Sequence, residues 1–414
     1  MKRVFTCAGG LLLSFAFVSV VYGGAIDNKT NWSAEYIRTL NRNAATDYAD
    51  IAVYNPAGTV KLQDGFIING SAQYLGKKYT NVLSGTSFES DEGSVVPGVF
   101  GVYNRDKWSL FGSVSVVGGG GKVDFSQGNY KTVLASIILT GAPGNLISAQ
   151  LEAESFYLGY TLGGAYEIND MFSISVGLRY VDAHLELDGS VTTTISPEQV
   201  AFEQDGDGWG AIFGINIAPN DKMNIGMRFE SKTSLNLDTK VTTDTATYLP
   251  PGGLTPYFDY IDGTSPPRDL PGLFALGVSY WLTPKLRLET NYTQYLNTHA
   301  DWAGDENLVN DGYDLGIALE YHFNDTLLGS IGYLRTETGI DPENMLSENP
   351  ELDADTIGFG IAYAFNEKFH TNLSLGYVFY EDDSFPQFTS PTTFIPVEYE
   401  KKIYFLALGV EYRF

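Results

Sequence analysis

The sequence predicts an all-β fold: a 14-stranded antiparallel transmembrane β-barrel with an N-terminal plug in its lumen. Three observations predict it. Apolar residues recur with a period of two along segment after segment. The connections between these segments alternate strictly between short and long. The composition is rich in glycine and aromatics and poor in charge, with 45 Gly, 27 Tyr and 25 Phe in 414 residues, 18% charged residues and a net charge of −25. Such usage suits many strands with one apolar and one small or polar face. It excludes a disordered chain, and the absence of a basic face argues against a nucleic-acid partner.

Taken in order, residues 1–25 read as an export signal. Lys2 and Arg3 precede the apolar run Leu11 to Val21, and Gly23, Gly24 and Ala25 offer the cleavage site, a pattern too short for a spanning helix. The only cysteine, Cys7, lies within it, so disulfides are not expected to hold the exported chain. Residues 26–64 read as short helical turns and loops, for example Trp32 to Leu40, and are the candidate plug. Fourteen strands enclose a lumen wider than side chains alone can fill, so the segment has a place to go.

From residue 65 onward no run is long and apolar enough for a membrane helix. Alternating segments lie near 65–75, 96–104, 107–118, 154–167, 171–187, 207–218, 222–237, 272–283, 285–297, 312–323, 326–336, 355–365, 369–381 and 402–414. In the fifth, Phe172, Ile174, Val176, Leu178 and Tyr180 alternate with Ser173, Ser175, Gly177, Arg179 and Val181. Short turns fall at Asn104–Lys107, Glu167–Asp170, Pro219–Asp221, Thr283–Pro284, Asn324–Asp325 and Asn366–Lys368. Long loops fall at 76–95, 119–153, 188–206, 238–271, 298–311, 337–354 and 382–401.

A soluble sandwich does not sort its loops by length onto two ends, whereas an outer-membrane barrel does. In lipid, only helices and closed sheets satisfy the backbone. Aromatics at strand ends, among them Tyr74, Tyr103, Trp108, Tyr166, Phe229, Tyr280, Tyr321, Phe365 and Tyr404, supply the interfacial girdles. The final strand shows Tyr404, Leu406, Leu408, Val410 and Tyr412 on one face and ends at Phe414, which resembles the signal read by the barrel-assembly machinery.

Specific motifs narrow the class. Asp47–Gly58 contains Asn55-Pro56-Ala57 shortly before the first strand; Asp207-Gly208-Trp209-Gly210 opens a strand followed by Asn224 to Ser231; Leu270-Pro271 opens the eighth strand; Tyr363-Ala364-Phe365-Asn366 lies near the end. In this order they resemble the FadL/TodX-type outer-membrane transporters of long-chain fatty acids and aromatic hydrocarbons, from about residue 26 to 414. The resemblance implies that Asn55, Pro56 and Ala57 belong to the hatch. The residues themselves say less: Pro56 fixes its own φ and biases Asn55 to extended geometry, and Asn55 can hold a turn.

Loop 119–153 is unusually apolar for an external segment, with Ile137, Ile138 and Leu139 at its centre. The resemblance implies a partly helical loop that offers a first hydrophobic groove. Loop 238–271, with Leu249 and Phe258, is the expected other wall, although the two loops packing together as a lid is the plainer alternative. The run Gly118 to Gly121 is either a flexible linker or the break that the family places in the third strand to open the wall sideways. It lacks the Ser or Thr and the upstream Gly of a phosphate loop.

Candidate inward charges are Arg179, Arg228, Glu230, Arg287, Glu289, Asp314, Glu320, His322, Glu411 and Arg413; most are expected to pair across strands, a minority to meet a ligand or hold the plug. His184 stands where the family's fatty-acid members carry an arginine, and reads either as an anion ligand when protonated or as a polar lumen residue. No catalytic constellation is present: four histidines occur without His-Glu-x-x-His or Gly-x-Ser-x-Gly, and Asp205-Gly206-Asp207 lacks the other ligands of a calcium loop. The expected function is passage of hydrophobic small molecules across the outer membrane with no cofactor or metal, by a monomer in contact with outer-membrane lipids and lipopolysaccharide. The alternative is a general diffusion porin.

Overall fold

The wall closes on itself by antiparallel pairing alone. In the computed structural model, which describes residues 33–140, 144–245, 260–390 and 393–414, the strands are β1 (Gly65–Leu83), β2 (Thr86–Arg105), β3 (Trp108–Phe125), β4 (Leu146–Glu167), β5 (Phe172–Thr193), β6 (Pro197–Asn220), β7 (Met223–Glu230), β8 (Asp238–Asp244), β9 (Gly272–Thr283), β10 (Leu286–Leu296), β11 (Tyr313–His322), β12 (Leu327–Glu337), β13 (Ala354–Ala364), β14 (Phe369–Tyr380), β15 (Asp383–Ser390) and β16 (Thr393–Arg413). Fourteen form the wall, and β16 returns to β1 from Ile67↔Arg413 to Leu83↔Val397. The other two are outer arms: β8 pairs with the outer part of β6, and β15 with that of β16. Among the described residues no helix is long and apolar enough to cross a membrane; the crossing is by strands.

The predicted parity holds. Ile174, Phe213 and Ile317 face outward, while Arg179, Arg228 and Arg287 are buried inside. The girdle aromatics, Tyr74 and Tyr404 among them, are exposed on the outer face. Short turns follow the expected chemistry: Asn169, Asn324 and Asn366 each accept from the backbone amides two and three residues on.

Three expected long loops are mostly strand. Segments 76–95 and 188–206 are the outer halves of the β1–β2 and β5–β6 hairpins, and 382–401 is built from β15 and β16. The seventh wall strand ends at Glu230, not 237. The physical reason is a reversal of facing. Beyond Tyr180 the outward residues are Asp182, His184, Glu186 and Asp188, and the inward ones are Val181, Ala183, Leu185 and Leu187. Once the sheet leaves lipid, water lies outside it and the apolar side turns in, so the pattern reads as a break.

The N-terminal segment is inside the barrel. It forms α1 (Ala34–Thr39), α2 (Ile51–Tyr54) and a 3-10 turn at Pro56–Lys61, and nearly every described residue up to Leu62 is buried. Ser33 caps α1 by accepting from the Tyr36 amide at 2.9 Å, and Leu40 ends it at φ 54°. The export signal and residues 26–32 lie outside the described residues.

Candidate functional site

The plug is seated by shape and by charge. Several inward positions on the wall are glycine where the plug backbone passes closest. A Cβ on Gly226 would overlap the Asn43 carbonyl oxygen, one on Gly332 that of Thr39, and one on Gly358 that of Ile37. These glycines, on β7, β12 and β13, mark a track on the inner wall where backbone meets backbone.

Charge then pins the plug. Arg42 pairs with Asp50 at 2.6 Å and Asp47 at 2.7 Å inside the plug, and Arg38 pairs with Glu320 of β11. Arg287 of β10 pairs with the same Glu320 and with Asp47 at 3.2 Å. Glu289 and Glu411 accept the backbone amides of Ala44 (3.1 Å) and Ala49 (2.8 Å), and Arg228 donates to the Val53 carbonyl. Most of the predicted inward charges therefore hold the plug rather than only stiffen the wall. Arg38, Arg42, Asp47 and Asp50 were not singled out from the sequence. Their signal was there, as two arginines one helical turn apart and two aspartates in an otherwise sparsely charged stretch.

The triplet Asn55-Pro56-Ala57 docks on the fifth and sixth strands, not on the first. Asn55 Nδ2 donates to the Ala45 carbonyl at 3.0 Å and to Asn216 Oδ1 of β6 at 2.8 Å. Pro56 lies against Gly214, and Ser173 of β5 donates to the Ala57 carbonyl at 2.6 Å. Asn55→Ala removes a bond inside the plug and one to the wall, leaving buried partners behind. The opening free energy of residues 45–62 in hydrogen exchange is expected to fall by about 1–3 kcal/mol; unchanged protection would leave the triplet a plain turn.

Of the other predicted site residues, Arg179 is inward and buried, paired with Glu230 of β7. His184 is on the outer face, 2.7 Å from Asp205 Oδ1 of β6, so it neither lines the lumen nor meets a ligand there. Parity forces this, because it shares its face with Ile174 and Leu178.

Loop 119–153 contains the helix α3 (Tyr130–Thr140), capped by reciprocal bonds between Asn129 and Thr132. Leu134, Ala135 and Leu139 are buried and Ile137 is partly buried against the same cluster; the side chain of Ile138, and Leu249 and Phe258 altogether, lie outside the description. Among the described residues the cluster around α3 includes Tyr260 of the expected loop 238–271, and also segments not expected: Met345 and Leu352 in 338–353, and Phe385 of β15, whose ring is 6.1 Å from that of Tyr130. One apolar column runs from α3 through Leu75, Tyr79, Ile403 and Phe405 to Ala34, Ile37 and Leu40 of the plug.

Beside this column the wall is parted. Pairing between β2 and β3 stops at Gly98↔Ser115, although both strands continue outward. β3 slips against β4 at Val116/Gly118 and again at Gly118/Gly121, with Gly119 and Gly121 at φ 93° and 67°. The glycine run thus breaks the pairing of the third strand. A cavity of about 280 Å³ fills the gap. Its lining includes Val95 and Phe156 from the outer face and Leu75, Val96 and Ile403 from the inner face, so it passes through the wall. It lies just beyond the outer-girdle residues Tyr74 and Tyr404. Lys77 reaches across it to the carbonyls of Gly120 and Lys122, both at 2.8 Å.

Fold and site together define a plugged transport barrel of the outer membrane. The family described as outer membrane protein transport protein (OMPP1/FadL/TodX) matches residues 40–414, and the chain belongs to it. Members of this family carry hydrophobic compounds across the outer membrane and are not general porins. Similar solved structures are a FadL homologue of Pseudomonas aeruginosa (TM-score 0.74, 14% identity, 95% of this chain and 100% of that one) and the toluene transporter TodX of P. putida (0.65, 14%, 95% and 99%). The toluene transporter TbuX of Ralstonia pickettii is another (0.62, 11%, 97% and 100%). These likenesses are of fold. A search of curated protein sequences finds no match.

Proposed function

We propose that this chain passes long-chain fatty acids or hydrocarbons inward by handing them between apolar sites: first the surface around α3, then the apolar column above the plug, then the parted wall between β2 and β3. The single observation that carries this reading is the cavity that crosses the wall beside the column, above a lumen filled by the plug. Moving an acyl chain from such a site into water costs about 0.8 kcal/mol per methylene, on the order of 10 kcal/mol for a long chain, so a continuous apolar path is what the task requires. Transfer of this kind is passive and involves no bond making, so we assign no catalytic role to any residue. Residues 1–25 act as the export signal, 26–64 as the hatch and 65–414 as the barrel. The chain works as a monomer, with its final strand read by the barrel-assembly machinery. Asn55, Pro56 and Ala57 hold the hatch; Ile137, Ile138, Leu139, Leu249 and Phe258 form the first station; Arg179, paired with Glu230 inside the barrel, is the charge offered to a polar end of the cargo.

Replacing Ile137, Ile138 and Leu139 together by Asp places three charges where a ligand must shed water, at several kcal/mol. Uptake of radiolabelled oleate or toluene by cells carrying this variant is expected to fall at least tenfold with the barrel correctly assembled. Wild-type uptake would remove the α3 surface from the path.

A further inference from the structure

Segment 338–353 folds inward across the top of the barrel. Its neck is tied: Thr338 donates through its amide and hydroxyl to Asp353 Oδ1 at 2.8 and 3.1 Å, and Ile340 bridges to Val309. Its tip reaches the parted wall. The Asn349 side chain lies against Gly120 at the slip in β3, where an added Cβ would stand 2.8 Å from Asn349 Nδ2. On the lumen side of the slip only about 30 Å³ remains, between Gly120, Gly121, Leu185, Tyr260, Leu346 and Asn349. The outer cavity and this remnant share Gly120, Gly121, Glu154 and Ser155, so the tip stands where the two would otherwise join.

Three side chains from different elements hold the tip. Asn81 of β1 donates to the Ser347 carbonyl at 3.0 Å, and Asn129 at the start of α3 donates to Ser347 Oγ at 2.9 Å. Lys401 of β16 donates to Asn349 Oδ1 at 3.1 Å and to the Pro350 carbonyl at 3.0 Å. Its ammonium lies 4.5 Å from the Tyr79 ring centre and 5.2 Å from that of Tyr380. Lys401 is buried. A buried ammonium is costly where stability alone is at stake, since an apolar side chain of similar length serves as well. Here it grips Asn349, the residue of the segment that lies against Gly120.

We propose that segment 338–353 is an inner gate that closes the lumen side of the wall opening, and that Lys401 is the residue that positions it. The inference rests on the sideways route proposed above and adds a moving part to it. Closed, the tip fills the lumen side of the slip at Gly120 and Gly121 and leaves the cavity only its narrow edge at Leu75 and Ile403 on the apolar column. Withdrawn, it widens that passage.

Paired cysteines test this. Gly120 has no positive φ, unlike Gly119 and Gly121, so it accepts a side chain. In the double variant Gly120→Cys, Asn349→Cys both contact residues become cysteine, at a separation a disulfide can span. The chain's only other cysteine is Cys7, so the cross-link is unambiguous. Under oxidant, uptake of radiolabelled oleate and toluene is expected to fall at least tenfold and to recover with dithiothreitol, while oxidant leaves the uptake of each single variant where it was before oxidation. A cross-linked barrel that transports at the reduced rate overturns the gate and leaves the transport reading standing. Failure to cross-link in the folded barrel also overturns it. If wild type itself takes up neither probe above cells lacking it, the transport reading is what fails, and the gate falls with it. Lys401→Met is expected to slow cross-linking at least fivefold without changing the heat-modifiable migration of the barrel, and Lys401→Arg to restore it. Equal cross-linking in Lys401→Met would strip Lys401 of its positioning role.

Discussion

Replacing Gly332 by Val is expected to drive the plug from its seat and convert a closed barrel into an ion-conducting pore, with conductance in planar bilayers rising at least tenfold. A Cβ at this position would overlap the carbonyl oxygen, carbonyl carbon and Cα of Thr39. All three are backbone atoms, so no rotamer change relieves the clash. The wall itself is not weakened, because Val is a favoured strand residue and the ladder from β11 through β12 to β13 does not involve the side chain. Gly70→Val is the control: it sits in β1 with nothing within 4 Å of its added Cβ, and it should leave conductance unchanged. A Gly332→Val barrel that stays closed, with normal heat-modifiable migration, would show that the plug yields without leaving.

Glu320→Ala is expected to lower the opening free energy of residues 34–62 in hydrogen exchange by about 3–5 kcal/mol, the cost of breaking a buried ion pair by removing one partner. Glu320 receives both Arg38 from the plug and Arg287 from β10, and is the point where plug and wall share one carboxylate. Without it, Arg38 keeps only Asp47 at 4.0 Å among its ion pairs, and Arg287 keeps Asp47 and Glu289 at 3.2 and 3.9 Å. Adding Arg38→Ala to Glu320→Ala should then cost less than the sum of the two single changes, since it removes a charge that has lost its partner. Strict additivity would mean that Arg38 and Glu320 do not depend on each other.

What the sequence disclosed, and what it hid, follows from the solvent each residue meets. Between the girdles the outside is lipid and the rule is simple, so Ile174 and Arg179 could be assigned to opposite faces without coordinates. Beyond Tyr180 the outside is water and the rule inverts. Val181, Ala183, Leu185 and Leu187 keep the strand period but on the other face, and the sequence pattern carries the fifth strand only to 187 and starts the sixth only at 207, leaving the outer half of the hairpin as loop. His184 was misassigned for the same reason. The hatch triplet was legible as a motif, but its partners were not, because Asn55 and Asn216 are 161 residues apart. The small inward face of the twelfth segment, 355–365, reads in the sequence as mere alternation. It was in fact the imprint of the plug, with Gly358 standing where the Ile37 carbonyl passes. Tyr260 of loop 238–271, expected as the second wall on apolar content, does join the outer cluster; the share taken by 338–353 is not legible, because its apolar residues are few and its contribution is the way it folds inward.

The reversal of facing also gives the barrel a waterline. On β5 the outward side chain changes from Leu178 and Tyr180 to Asp182 within a single repeat of the pleat, and on β6 from Trp209 to Asp207. The two changes are in register, since Tyr180 faces Trp209 and Asp182 faces Asp207. One repeat is about 6.6 Å of strand, so the chain fixes its height in the bilayer to within less than the thickness of a headgroup layer. A thicker membrane would have to cover Asp182 and Asp207 with hydrocarbon, and a thinner one would strand Tyr180 and Trp209 in water. The parted wall opens just past Tyr74 and Tyr404, at this same line. On the sideways route proposed above, cargo leaving there would be delivered to the surface of the leaflet rather than to its mid-depth, and any polar end it carries would stay wet while its tail sinks.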